Sequence, residues 1–184
     1  MKKDTNIILK QIVDRKAREF SLEKKKRNHT GSVVSIFQEE WHLYAWLNHP
    51  LVPTLEIQIS INIEREMIRI LWFPHPVLIT NDTMGEYIRF CNEVNRELYT
   101  GGRFWCDEEN YDFAYEIVLK EEIIEKCVDE AARLLFDVPY SHFQDIHIPL
   151  IMLKNGTWQS ETAIKYIKEL RTKGVVDNSD YNLW

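Results

Sequence analysis

Six histidines, three cysteines and several runs of carboxylates are the residues of this chain that could do chemistry. A zinc site on one helix face wants imidazoles four residues apart. None of His29, His42, His49, His75, His142 and His147 has that spacing. His142 and His147, with Asp145 between them, come nearest to a ligand cluster. Five-residue spacing splits two rings between helix faces, Pro149 argues against a helix there, and a third ligand is missing. A structural or surface role is the reading for that group. His75 stands between Pro74 and Pro76 in a rigid loop, which suits a functional histidine and a plain sheet exit equally.

Nucleophiles fare no better. Cys91 and Cys127 fall on the apolar stripes of helices, where a thiol acts as a small buried hydrophobe. Cys106 ends a strand beside Asp107, whose negative charge disfavours the reactive thiolate. The acidic runs Glu39-Glu40, Asp107-Glu108-Glu109 and Glu121-Glu122 sit at element ends, where solvent and helix dipoles account for them. No GxxxxGK[ST], GxGxxG or GxSxG segment occurs. The expectation is therefore no catalytic residue, no metal and no cofactor.

What remains is aromatic. Trp41, Tyr44 and Trp46 cluster ahead of a long strand, Trp72-Phe73 closes the next, and Trp105 lies in a later hairpin. Trp72 reads as core. Trp41 and Trp46 fit the core or a partner interface, and Trp41, Tyr44 and Trp46 are the candidate partner-binding residues.

These side chains need a scaffold, and the hydrophobic periods supply one. Residues 4–26 read as a helix, with the run Lys24-Lys25-Lys26-Arg27 as its solvated C-terminal turn. Val33–Phe37 is β-prone, and Trp41–Trp46 suits a strand or a helical turn. Leu55–Ile63 alternates strictly, as a strand with one buried face does. A turn at Glu64-Arg65 leads to Met67–Phe73, apolar on both faces except at Arg69, so something must cover its second face.

Thr83 to Glu86 has capping-box spacing, and the helix that follows stops at Gly101-Gly102. Strands Arg103–Cys106 and Tyr111–Leu119 come next, joined by an acidic loop. A helix over Glu121–Phe136 follows, then an extended segment at Ile146–Leu153, then a last helix capped by Ser160. The order α-β-β-β-α-β-β-α plus a C-terminal helix makes an α+β fold, an antiparallel sheet with flanking helices. Residues 1–174 are expected to form one domain, and 175–184 a loose polar tail.

Composition narrows the partners. A net charge of −6 repels phosphate backbones, so nucleic acid is not expected. No apolar stretch nears the ~20 residues that span a bilayer, and no signal-like h-region follows Met1, so the expected place is the cytoplasm. Three widely spaced cysteines form no disulfide framework.

The stretch Tyr87–Arg96, with Asn92 and Asn95 at the spacing of an LNxxN-like segment, resembles the corresponding helix of the YbjN family. Cys91 stands where that family usually has leucine. Gly102-Arg103-Phe104-Trp105, the strand and helix after it, and Pro149–Gly156 followed by a helix at Ala163 extend the resemblance over about residues 5–170. It implies the fold of type III secretion chaperones, which are dimers that wrap extended effector segments. It also implies a regulator of sensory or stress signalling, with no catalytic residue. A protein-binding or regulatory module, possible as a homodimer, is the leading expectation. An immunity protein that plugs a basic toxin cleft, or an enzyme using His75 or the His142, Asp145 and His147 group, are the alternatives.

Overall fold

The computed structural model describes residues 3–24, 38–46, 54–62, 64–75, 79–98 and 101–172. Helix α1 spans Lys3–Glu19, and strands β1 to β4 follow at Glu23–Lys24, Gln38–Trp46, Thr54–Asn62 and Met67–His75. Helix α2 (Asn81–Leu98) precedes the hairpin of β5 (Arg103–Asp107) and β6 (Asp112–Lys120). Short helices α3 (Glu121–Lys126) and α4 (Val128–Ala132) run through a π-helical turn at Arg133–Asp137 into α5 (Val138–Lys154). Helix α6 (Ser160–Thr172) is last. The expected α+β architecture and its element order stand.

The sheet is antiparallel throughout, in the order β1-β2-β3-β4-β6-β5. Against expectation the polar face of β3 is not wet throughout, since Ser60 and Asn62 are buried there. Leu55, Ile57, Ile59 and Ile61 are buried on the other face, as the alternation implies. Cross-strand rows carry that face outward, Ile57 to Trp72 to Tyr115 to Phe104, and Ile59 to Ile70 to Ile117. Each row sets large apolar groups side by side, the unit from which sheets draw stability. The helices supply the other half of this core with Leu9, Phe90, Val94, Leu135, Phe143, Leu150 and Ile167.

Local chemistry sets the boundaries. Helix α1 ends at Glu19, not near residue 26, because Ser21 takes a left-handed φ of 52° and Leu22 N–H bonds back to the Ala17 carbonyl at 2.8 Å. Lys24 therefore lies in β1 and not on a helix; Lys25, Lys26 and Arg27, like Val33–Phe37 and the expected tail, are outside the described residues. Trp41–Trp46 is strand. At the β3–β4 turn Arg65 N–H bonds to Asn62 Oδ1 at 2.9 Å.

The cap lies three residues earlier than the Thr83–Glu86 spacing suggests, at Thr80. Thr83 Oγ1 accepts the Thr80 N–H at 3.0 Å, which leaves Glu86 available for another helix. In the β5–β6 loop Asp107 Oδ1 accepts the N–H groups of Glu109 and Asn110, and Oδ2 the Asn110 side-chain amide. These bonds, the side chain of Asn110 foremost, hold the Asp107 carboxyl below its ordinary range.

Two expectations fail after residue 120. The helix expected over Glu121–Phe136 breaks at Cys127, whose φ of −134° and ψ of 60° are not helical. Ile146–Leu153 is not extended but forms the second half of α5, with Pro149 inside the helix. Ten residues of α5 are buried and Gln144 alone is exposed, so tertiary packing outweighs what proline costs. Glu121 is also buried, not solvated, beneath Thr5 of α1. Helix α1 is bound to this late region by Thr5 Oγ1 to Glu125 at 2.5 Å, Arg15 to Asp129 at 3.0 Å and Lys16 to Asp137 at 2.7 Å.

Candidate functional site

The second face of the sheet carries side chains of another kind. Along β4 it presents Met67, Arg69, Leu71 and Phe73; along β6, Ala114, Glu116 and Val118; along β5, Arg103 and Trp105. Among the described residues, none of its apolar members belongs to the core cluster or packs against it. Leu71 and Ala114 are buried, Met67, Phe73 and Trp105 are half-buried, and Val118 is exposed. Among the described residues, the strand that is apolar on both faces thus meets the helices with one face only.

At the centre of this face is an ion group. Glu116 Oε2 accepts from Arg103 Nε at 3.0 Å and Nη2 at 2.8 Å, and Arg69 Nη1 lies 3.9 Å from Oε1. Register explains the convergence, since Glu116 pairs with Arg103 on one side and with Leu71, next but one to Arg69, on the other. Glu116, Arg103 and Val118 line a hollow of about 300 Å³ with Gly101 and Gly102. Gly102 is required there: a Cβ would come 2.2 Å from the Glu116 carbonyl oxygen and 2.8 Å from the Tyr115 ring.

A second hollow, about 510 Å³, lies between α2 and α6 and is lined by Arg89, Asn92, Glu93, Ser160, Ile164 and Lys168, among others. Glu86 ties its walls together. Its Oε2 accepts the Ser160 N–H at 2.7 Å at the start of α6, while Arg89 bonds its other oxygen. The Ser160 amide first, then Arg89, hold the Glu86 carboxyl low. Lys168 bonds Glu97 across the same helices at 2.9 Å and lowers that carboxyl also.

The histidine group expected to be structural is on α5. His142 is buried against the rings of Phe104 and Tyr115, with centroids 6.3 and 5.8 Å away. Neither ring nitrogen has a hydrogen-bond partner among the described residues. Burial holds its pKa down at about 3, with the Arg171 charge adding to the effect. One turn on, Asp145 is buried with Oδ2 3.7 Å from Arg171 Nη2, and burial pushes its carboxyl up. His147 Nδ1 meets the Gln144 carbonyl at 2.6 Å. Among the described residues no group of three or more His, Cys, Asp or Glu converges as a metal would need.

Trp41, Tyr44 and Trp46 all lie on β2, but register separates them, and their side chains are outside the described ones. Trp41 stands in the row of Ile59, Ile70 and Ile117. Tyr44 stands in the row of Glu56 and Phe73, and Trp46 in that of Thr54 and His75. Of the residues carrying the YbjN resemblance, Asn92 reaches the α2–α6 hollow and Asn95 bonds the main chain of β5. Cys91, Phe90 and Val94 are core. Cys127, expected buried, is exposed at the break between α3 and α4, while Cys91 meets Cys106 across α2 and β5. Sequence reasoning weighed Arg69 only as an exception and passed over Glu116 and Arg103 as a group. The clue was the doubly apolar β4.

No described helix is long and apolar enough to cross a membrane. No protein-family model matches the chain, and no curated protein does. Two solved structures are similar in shape. One is the crystal structure of the ExsC–ExsE complex, at TM-score 0.45 and 12% identity, covering 77% of this chain and 91% of that one. The other is the HopA1–SchA chaperone–effector complex, at TM-score 0.44 and 12% identity, covering 78% and 96%.

Proposed function

We propose that this chain is a non-catalytic protein-binding module that engages its partner with the face of its sheet that no described helix covers. The observation that carries the reading is the set Met67, Phe73, Trp105 and Val118, half-buried or exposed apolar side chains outside the core cluster and arranged about the Arg69–Glu116–Arg103 ion group. Apolar anchors beside arginines are the composition of protein interfaces, and an ion group in their midst fixes the register of whatever docks. Tyr44 and Trp46 extend the face along β2 in this reading, while Trp41, in the row of core isoleucines, does not. A regulatory or chaperone-like role in the cytoplasm, with a second copy of the chain as one partner, is part of the same proposal.

Phe73→Asp and Val118→Asp, placed in the tagged chain, test it. A stoichiometric partner held by the native chain should be lost by both variants, with affinity down about thirtyfold, as for an anchor worth ~2 kcal/mol. The free energy of unfolding should stay within about 1 kcal/mol of native in each. Light scattering across a dilution series identifies a second copy as the partner. Retention of the partner by both variants at native affinity removes this face from the proposal.

A further inference from the structure

Two thiols meet where α2 crosses β5. Cys91 Sγ lies 3.3 Å from Cys106 Sγ, and the two cysteines are 15 positions apart in sequence. A disulfide needs the sulfurs at about 2.05 Å, so roughly an ångström of approach joins them. That lies within reach of small side-chain rotations.

The backbone is already held for it. One helical turn beyond Cys91, Asn95 bonds the main chain of Phe104, two residues before Cys106 on β5. The thiol contact and the amide bonds are successive rungs between the same helix and the same strand. Cys106 is half-buried and Cys91 is buried. The contact with Cys106, then burial, push the Cys91 thiol above its ordinary range. Entry of an oxidant therefore falls to Cys106, and Cys91 is the resolving partner.

We propose that Cys91 and Cys106 are an oxidant-responsive thiol pair that hydrogen peroxide converts to an intramolecular disulfide and thiols reopen. The Cys106 thiolate attacks one peroxide oxygen, the O–O bond breaks, and the departing hydroxide takes up a proton as water. The resulting sulfenic acid carries its oxygen on Cys106. The Cys91 sulfur then attacks the Cys106 sulfur, the S–O bond breaks, and hydroxide leaves with the Cys91 proton as a second water. The two thiols lose two electrons in all, and peroxide gains them. This pairing is independent of the binding role proposed for the sheet. Disulfides in reducing compartments are characteristically transient and redox-sensing, which fits a pair left as thiols in the reduced fold.

The full chain, and its Cys127→Ser and Cys106→Ser variants, are treated with graded hydrogen peroxide, acid-quenched, unfolded in urea and labelled with N-ethylmaleimide. Intact mass and peptide mapping then count free thiols and locate linkages, with circular dichroism recorded before the quench. In the native chain, labels should fall from three to one, with a mass loss of two hydrogens before labelling. The mapped link should join Cys91 to Cys106, and dithiothreitol should restore all three labels. The Cys127→Ser chain should form the same link, and Cys106→Ser should not. The proposal is overturned by a link that requires Cys127, by oxygen additions without a link, by unreacted thiols, or by a link that forms only after the circular dichroism signal is lost.

Discussion

The indole N–H of Trp72 on β4 donates to the carbonyl of Leu135 at 3.1 Å, and Leu135 is the residue four places before Pro139. In an uninterrupted helix the N–H of residue 139 would serve that carbonyl, and proline has none. Trp72 supplies the missing donor from the sheet. Its ring also lies edge-on to Phe136 at 6.2 Å, so one side chain both fills the core and completes the π-helical turn.

Trp72→Phe should retain the fold and lower its stability by about 2–4 kcal/mol. A buried carbonyl loses its donor at ~1–3 kcal/mol, and the smaller ring leaves space behind. Urea titration followed by circular dichroism measures the loss. A loss under 1 kcal/mol would mean that Leu135 finds another donor.

Asn95 makes a two-bond bridge to Phe104, donating from Nδ2 to its carbonyl at 2.8 Å and accepting its N–H at Oδ1 at 2.7 Å. Because β5 ends the sheet, these are main-chain groups that a neighbouring strand would otherwise seek. Asn95→Ala should cost about 1–3 kcal/mol and raise the tendency to associate through β5. Asn95→Asp keeps the acceptor and loses the donor, so it should fall between. Equal stability for native, Asp and Ala chains would dismiss the bridge as an energetic element.

His142 should make stability fall with acid. An unfolded chain takes up the histidine proton near pH 6.5, while the folded chain resists until about 3. The contribution of the neutral ring is therefore complete above the unfolded pKa and shrinks as pH drops toward the folded one, by up to ~1.4 kcal/mol per pH unit. His142→Leu removes the titration and two buried nitrogens without partners. It should be near native stability at pH 7.5 and more stable than native at pH 5, by urea titration at each pH. Parallel stability curves for the two chains across that range would exclude His142 as the source.

Much of the fold was legible because β3 is an unusually clean alternator and α2 a clean amphipath. Leu55, Ile57, Ile59 and Ile61 could belong to nothing but a strand with one buried face. Helix α5 was hidden for the opposite reason. Its half-buried side carries Tyr140, Ile148, Ile151 and Met152, which blur the 3.6-residue period, and Pro149 supplies a false stop. The candidate face was half legible, since a β4 apolar on both sides announced a second surface. Its ion group was not legible, because Arg69, Glu116 and Arg103 meet only through strand register across three strands. The thiol pair was likewise invisible: Cys91 and Cys106 were assigned to separate elements with no means of knowing that those elements cross.

Helix α1 leaves the ribosome before every other described element, yet Thr5, Arg15 and Lys16 find Glu125, Asp129 and Asp137 more than a hundred residues later. Lys16 is buried in the finished molecule and has no acidic residue of that late region to meet until residue 137 has emerged. Helix α1 is therefore a late arrival in a fold whose other described elements it precedes. Until the region around residue 137 is made, its apolar stripe, Leu9, Ile12 and Val13, waits for a surface not yet formed.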